Sequence, residues 1–306
     1  MAEKRILSRQ KPVDISAFQH LYPFKSHFFD LDGLKYHYLD QGRGDPVVMI
    51  HGNPTWSFYF RSLIKGLPSQ FRAIVPDHIG CGLSDKPDAN QYRFRLKNRV
   101  EDLETFLNYL DLKKRITLIC HDWGGMIGMI YALRNIEKIE RIVLMNTAAF
   151  FPPGNKKLPF RLWFIRHVTP FSKLAVQGAN LFAYAALFMA SRKKLDNDVR
   201  SGLIAPYNCW TNRTAILKFV QDIPANKEDP SYDLVEYADK NLYKLGNIPM
   251  LMCWGKHDFV FDMAYLSEWQ RRFPDATVHL FPDAGHYVLE DEPEKILLLV
   301  KNFLKS

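Results

Sequence analysis

Six short apolar runs, Val47 to Ile50, Ala73 to Pro76, Ile116 to Cys120, Ile142 to Met145, Met250 to Trp254 and Val278 to Phe281, are separated mostly by longer helical patterns. Alternation of this kind builds βαβ units and a mostly parallel sheet. Ahead of them, His27 to Asp32 and Leu34 to Asp40 read as an antiparallel hairpin turning at Asp32 and Gly33. The expected fold class is α/β, with an eight-stranded, mostly parallel sheet. Each central strand runs straight into residues of unusual chemistry: His51 to Pro54, Asp77 to Gly82, His121 to Gly125, Asn146, and Gly255 to Asp258. Ligands of such sheets bind beyond the carboxyl ends of the strands. Between Ala148 and Ala225 the alternation stops, and aromatic, helical patterns with Pro152, Pro153, Pro159, Pro170 and Pro206 take over. We read 148–225 as a helical cap inserted into a core made of 1–147 and 226–306.

Hydrophobic residues make up 47% of the 306 positions and charged residues 24%, which fits a globular chain and excludes disorder, collagen and coiled coil. The excess of 41 basic over 33 acidic residues raises the question of an acidic partner. The clusters Lys113 to Arg115, Lys156 to Lys157 and Arg192 to Lys194 are short and dispersed, with no nucleic-acid motif, so no nucleic acid is expected. A solvated basic face is the plain reading, and peripheral contact with an anionic membrane is compatible with it. Cys81, Cys120, Cys209 and Cys253 lack disulfide or zinc spacing and read as free cysteines of a reducing cytoplasm. Met1 to Pro12 has no apolar stretch of the signal-peptide kind, and Leu174 to Ala190 is interrupted by Gln177, Gly178 and Asn180, so neither export nor a transmembrane helix is expected. His20, His27, His37, His78 and His279 show no metal-ligand spacing, and Gly124 and Gly125 stand outside any nucleotide-binding pattern. Neither a metal nor another cofactor is expected.

The segment Ile116 to Met129 joins an apolar strand to Cys120, His121, Asp122, Trp123, Gly124 and Gly125 and then to a helix. So sharp a turn leaves room only for small neighbours and lifts one side chain to the top of the sheet. That side chain is Asp122. A carboxylate is ionised at neutral pH and displaces a leaving group from carbon directly, forming an ester. The plainer role, a helix N-cap, leaves the residues at the other strand ends unexplained. His286, in FPDAGHYVLED after the last strand, would supply the base that activates water on such an ester. Asp258, in WGKHD, would fix the histidine tautomer. Asp262 is its nearby rival, and Asn146 leaves the end of the Ile142 strand without a carboxylate. In HGNP, the Asn53 N–H can join that of Trp123 as an oxyanion hole. The Asn53 amide and Trp123 indole add uncharged donors for a leaving anion. The loop PDHIGCGLSDKP, Pro76 to Pro87, is assigned a structural role. The cap aromatics Phe150, Phe151, Phe160, Trp163, Phe164, Phe171, Phe182, Tyr184 and Phe188, with Met189, suit an apolar substrate, and most of them are expected to pack in the helical core.

HGNP, CHDWGG, WGKHD and the His286 loop resemble the haloalkane dehalogenase branch of the α/β-hydrolases over nearly the whole chain. The resemblance implies the α/β-hydrolase fold, with Asp122 as nucleophile, His286 as base, Asp258 as its acid partner, and Asn53 with Trp123 as the halide-holding pair. Longer stretches, HGNPTWSFYFR, VPDHIGCGLSDKP, CHDWGGMIGM, LIAPYNCWTNRTAILKFVQDIP, CWGKHDFVFD and FPDAGHYVLEDEPE, are similar to the β-lactone decarboxylases of bacterial long-chain olefin biosynthesis. This second resemblance implies decarboxylation of a small hydrophobic substrate, a cis-3,4-dialkyl β-lactone (oxetan-2-one), to a cis-alkene and CO2. Asp122 would attack either the lactone carbonyl or the ring carbon. It also implies partnership with the other olefin-biosynthesis enzymes in a complex, sometimes near membrane. Haloalkane dehalogenation is the alternative, because every residue that chemistry needs is present. Epoxide hydrolysis stands third: that branch usually carries an aromatic residue where Asn53 stands and uses cap tyrosines, for which Tyr184 and Tyr207 are available. A non-catalytic receptor on the same fold is opposed by the joint presence of Asp122, Asp258 and His286.

Overall fold

The computed structural model describes residues 11–156 and 159–305. Most of the segment Met1 to Pro12 and Lys157 of the basic pair lie outside the described residues. Eight strands form one sheet: β1 (Ser26–Leu31), β2 (Leu34–Gln41), β3 (Asp45–Ile50), β4 (Phe71–Pro76), β5 (Ile116–Asp122), β6 (Ile139–Thr147), β7 (Met250–Gly255) and β8 (Thr277–Phe281). Their spatial order is β1-β2-β4-β3-β5-β6-β7-β8. The β1–β2 and β2–β4 pairs are antiparallel and the others parallel. Every expected strand is present; the first is shifted by one residue, leaving Asp32 to the turn, and the others are extended by up to three residues at an end.

The central strands are apolar on both faces because helices cover both. Along β5, Leu118 and Cys120 enter one core while Ile119 enters the other, and β3 and β6 divide in the same alternating way. On one face pack α2 (Leu96–Tyr109), α3 (Trp123–Arg134), α9 (Tyr232–Asn241) and α10 (Met263–Arg272); on the other, α1 (Arg61–Gly66) and α12 (Pro293–Phe303). A short helix, α11 (Val288–Asp291), precedes α12.

Between β6 and α9 the chain is helical: α4 (Phe160–His167), α5 (Thr169–Ser172), α6 (Leu181–Met189), α7 (Asn197–Ile204) and α8 (Thr214–Gln221). These helices share a small core of Val176, Ala183, Tyr207, Ile216 and Leu217. The expectation that most aromatics here are core residues is corrected. Phe150 is buried, but Phe160, Trp163, Phe171, Tyr184 and Phe188 are exposed, because helices this short have too few neighbours to enclose so many rings. No helix among the described residues is long and apolar enough to cross a membrane.

Candidate active site

Strand β5 ends at Asp122 and α3 begins at Trp123, with no loop between them. Asp122 takes φ +53° and ψ −127°, a region that L-residues avoid at a cost of roughly 1–3 kcal/mol. Two close approaches explain the glycines around it. A Cβ on Gly124 would stand 2.0 Å from the Ile50 carbonyl oxygen in β3, and one on Gly52 would stand 2.0 Å from Asp122 Oδ1. The backbone N–H of Asn53 donates to Asp122 Oδ1 at 2.6 Å, and the N–H of Trp123 donates to the same carboxyl. The Thr147 hydroxyl holds the Asp122 carbonyl at 2.5 Å. The two backbone donors expected to form an oxyanion hole therefore converge on one buried carboxylate.

His286 is buried, with Nδ1 2.8 Å from Asp258 Oδ2 and Nε2 3.6 Å from Asp122 Oδ2. The ring thus lies between the two carboxylates, each at the carboxyl end of a different strand. Asp258 accepts four hydrogen bonds. Its Oδ1 takes the N–H groups of Val260 at 2.6 Å and Phe261 at 3.0 Å, and its Oδ2 takes Asn146 Nδ2 at 2.9 Å and the His286 ring. Asp262, the rival, stands apart: it caps the N-terminus of α10 by accepting from Ala264 and pairs with Lys156.

The electrostatics follow from burial and these partners. Burial pushes the Asp122 carboxyl above its ordinary pKa, opposed by His286 and by the N–H groups of Trp123 and Asn53. Burial also works against the His286 imidazolium, but the charge of Asp258, its hydrogen bond and then Asp122 outweigh it, and the pKa of His286 rises above the ordinary 6.5. A buried ring poised this way can hold a positive charge between two carboxylates or accept a proton from water.

The two side-chain donors differ. The Asn53 amide Nδ2 donates to the Ile216 carbonyl of α8 at 3.2 Å, so α8 fixes its orientation. The Trp123 indole packs on Phe219 of the same helix, with ring centroids 5.4 Å apart. Both donors are thereby tied to the helical segment above the sheet. Of the two tyrosines considered for epoxide polarisation, Tyr184 is exposed and Tyr207 is buried with its hydroxyl 3.4 Å from the Thr55 carbonyl.

Three residues at the site were given no role by the sequence. Asn146, at φ +35°, clamps Asp258 and also bridges the backbone of Gly255, donating to its carbonyl at 3.1 Å and accepting from its N–H at 2.8 Å. His121 lies behind His286 and donates from Nε2 to the His286 carbonyl at 2.9 Å; its place beside Asp122 in CHDWGG was the available signal. Arg99 of α2, fully buried, stacks its guanidinium 3.6 Å from the centre of the Phe219 ring, a contact with no local sequence signature. In the Pro76 to Pro87 loop, Asp77 accepts from His37 Nδ1 at 2.8 Å, Ser57 N at 2.7 Å and Leu83 N at 2.9 Å. These partners, with His51, hold it below the ordinary carboxylate range against the effect of burial. This hub pins the loop beside the site.

Comparison with known proteins agrees with this architecture. The sequence family described as the alpha/beta hydrolase fold matches residues 45–293. A cis-3-alkyl-4-alkyloxetan-2-one decarboxylase of Shewanella oneidensis is 48% identical over 93% of this chain and 89% of its own length. A protein of the same name from Xanthomonas campestris pv. campestris is 39% identical over 89% and 93%. Haloalkane dehalogenase 2 of Mycobacterium tuberculosis is 30% identical over 93% and 96%. Among solved structures, a mutant haloalkane dehalogenase from Agrobacterium tumefaciens superimposes with a TM-score of 0.83 at 25% identity, covering 95% of this chain and 99% of that one. A strand-to-helix turn carrying a buried carboxylate, a histidine and second acid delivered by later strands, and matches that span the sheet and the helical segment alike all lead to one assignment: the chain belongs to the α/β-hydrolase family, in the branch it shares with these decarboxylases and haloalkane dehalogenases.

Proposed function

We propose that the protein decarboxylates cis-3,4-dialkyl β-lactones to cis-alkenes and CO2, with Asp122 as nucleophile, His286 and Asp258 as its charge partners, and Asn53 and Trp123 as donors to the developing anion. The observation that carries the reading is the Asp122–His286–Asp258 line, found in a chain whose 48% identity to a named decarboxylase runs over 93% of its length. A match of that extent takes in most of 148–225, the segment we propose acts as a cap over the substrate.

Attack of an Asp122 oxygen on the ring carbon bearing the lactone oxygen breaks that C–O bond and leaves a β-carboxylate on an alkyl ester. Cleavage of the bond to the carboxylate then releases CO2, its electron pair forms the C=C bond, and Asp122 departs as the carboxylate it was. No water is consumed. Inversion in the first step sets the ester opposite the carboxylate, so anti-elimination preserves the cis relation of the alkyl chains. Attack on the lactone carbonyl, giving an anhydride, is the second route. In the ring-carbon route the His286 imidazolium, 3.6 Å from Asp122, stabilises the charge that returns to the departing carboxylate.

Haloalkane dehalogenation is the second reading, favoured by the same line, since His286 Nε2 faces Asp122 as a base for water would. Purified protein is supplied with a synthetic dialkyl β-lactone and, separately, a 1-halohexane, with Asp122→Ala as the blank. Alkene without halide is expected. Halide without alkene makes the protein a dehalogenase, and neither product sinks both readings.

A further inference from the structure

Two observations away from the catalytic line coincide in the helical segment. Residues 148–195 contain eight Lys and Arg and neither Asp nor Glu, which leaves 33 basic and 33 acidic residues in the rest of the chain. The whole net charge of +8 therefore belongs to these 48 residues, a concentration that the short, dispersed basic clusters conceal. The same stretch turns large apolar side chains outward: Phe160 is 74% exposed, Phe188 67% and Leu174 65%. Helix α4 contains no buried residue. Helix α6 carries no charge at all, and its Leu181, Tyr184 and Phe188 lie outward at helical spacing, the reverse of a helix that hides its apolar stripe. The two helices adjoin, with Arg161 Nη1 3.1 Å from Met189 Sδ, and Phe164 meets Phe171 edge-on at 5.1 Å.

We propose that this face is a docking surface for an anionic lipid bilayer, with Phe160, Trp163, Leu174 and Phe188 entering the boundary between headgroups and acyl chains while Arg161 and Lys173 meet lipid phosphates. Aromatic and aliphatic side chains rimmed by basic residues are the chemistry of a segment lying in the membrane plane, and no described helix is long and apolar enough to cross it. A second copy is disfavoured by charge: Lys156, Arg166 and Lys193 pair with Asp262, Asp229 and Glu292 elsewhere in the chain, but a twofold contact would still set the remaining positive charge, Arg161 and Lys173 included, against itself. A stretch of 48 residues without a single acid fits a surface of uniform negative charge.

The test is co-sedimentation of the full chain with vesicles of phosphatidylcholine alone or with a third phosphatidylglycerol. Binding to the anionic vesicles should exceed binding to the neutral ones by about tenfold or more and weaken as salt rises. Phe160→Ser/Phe188→Ser and Arg161→Glu/Lys173→Glu should each weaken it by about tenfold or more, with circular dichroism unchanged. Equal binding to both vesicle types, insensitivity to salt, or variants that bind like the parent would overturn the proposal. So would dimerisation that the Ser variant abolishes in a protein that ignores vesicles, which would assign the face to a second copy.

Discussion

Asn146→Asp sets a second carboxyl group against Asp258, at the position from which the amide Nδ2 now donates to Asp258 Oδ2 across 2.9 Å. Two negative charges at that distance, in surroundings of effective dielectric about 20, repel by about 6 kcal/mol, or about four pKa units. Both groups are buried, so the pair keeps one proton, and the folded-state pKa of the new carboxyl rises from about 4 to about 8. Between those values the folded variant binds one proton more than the unfolded chain. Its stability relative to the parent therefore falls as pH rises, by about 1.4 kcal/mol per unit and about 6 kcal/mol in all. A further loss of about 1 kcal/mol, independent of pH, is expected because the Gly255 carbonyl loses its amide donor. Urea unfolding of both proteins at a series of pH values from 4.5 to about 8.5, spanning the titration, reads the difference. A loss of the same size at every pH would refute the reasoning, since it would mean that the two carboxyl groups do not share a proton.

Two other perturbations probe the scaffold. Burial raises the Asp102 carboxyl, to which the Tyr92 hydroxyl donates, to about 7. Its raised pKa makes stability highest below the unfolded value near 4 and lower as pH climbs to 7. Asp102→Asn should remove that slope and stabilise the protein at pH 8 relative to pH 4 by about 4 kcal/mol; parallel denaturation curves for parent and variant would count against it. Gly124→Ala puts a methyl 2.0 Å from the Ile50 carbonyl oxygen, forcing α3 away from β3. A loss of about 3 kcal/mol is expected, read as a fall in Tm together with loss of the Asp122-dependent reaction, and an unchanged Tm would show that the turn has room to spare.

The strands were legible because each central one is a run of apolar residues long enough to cross a sheet covered on both faces, and β1 and β2 are joined by Asp32 and Gly33, both at positive φ. Asp122, His286 and Asp258 were legible because each stands at the carboxyl end of a strand, where a parallel sheet gathers its chemistry. Asn146 was read as an empty acid position and proves to be the clamp on Asp258. Its role depends on β6 and β7 being neighbours in register, Met145 beside Cys253, which no local window contains. The meeting of Arg99 and Phe219, 120 residues apart, was likewise outside any local window.

What the chain alone determined is periodicity and punctuation: the α/β alternation, the strand-to-helix turn at Asp122, and the order Asp122, Asp258, His286 at strand ends. Those are local, fixed by side-chain sterics within a few residues. Tertiary structure decided which donors are committed, as with the Asn53 amide on Ile216, and which aromatics face outward in α4 and α6. Burial and partner choice belong to surfaces assembled from distant segments, and the ring that a sequence offers to a core is enclosed only where enough neighbours arrive to cover it.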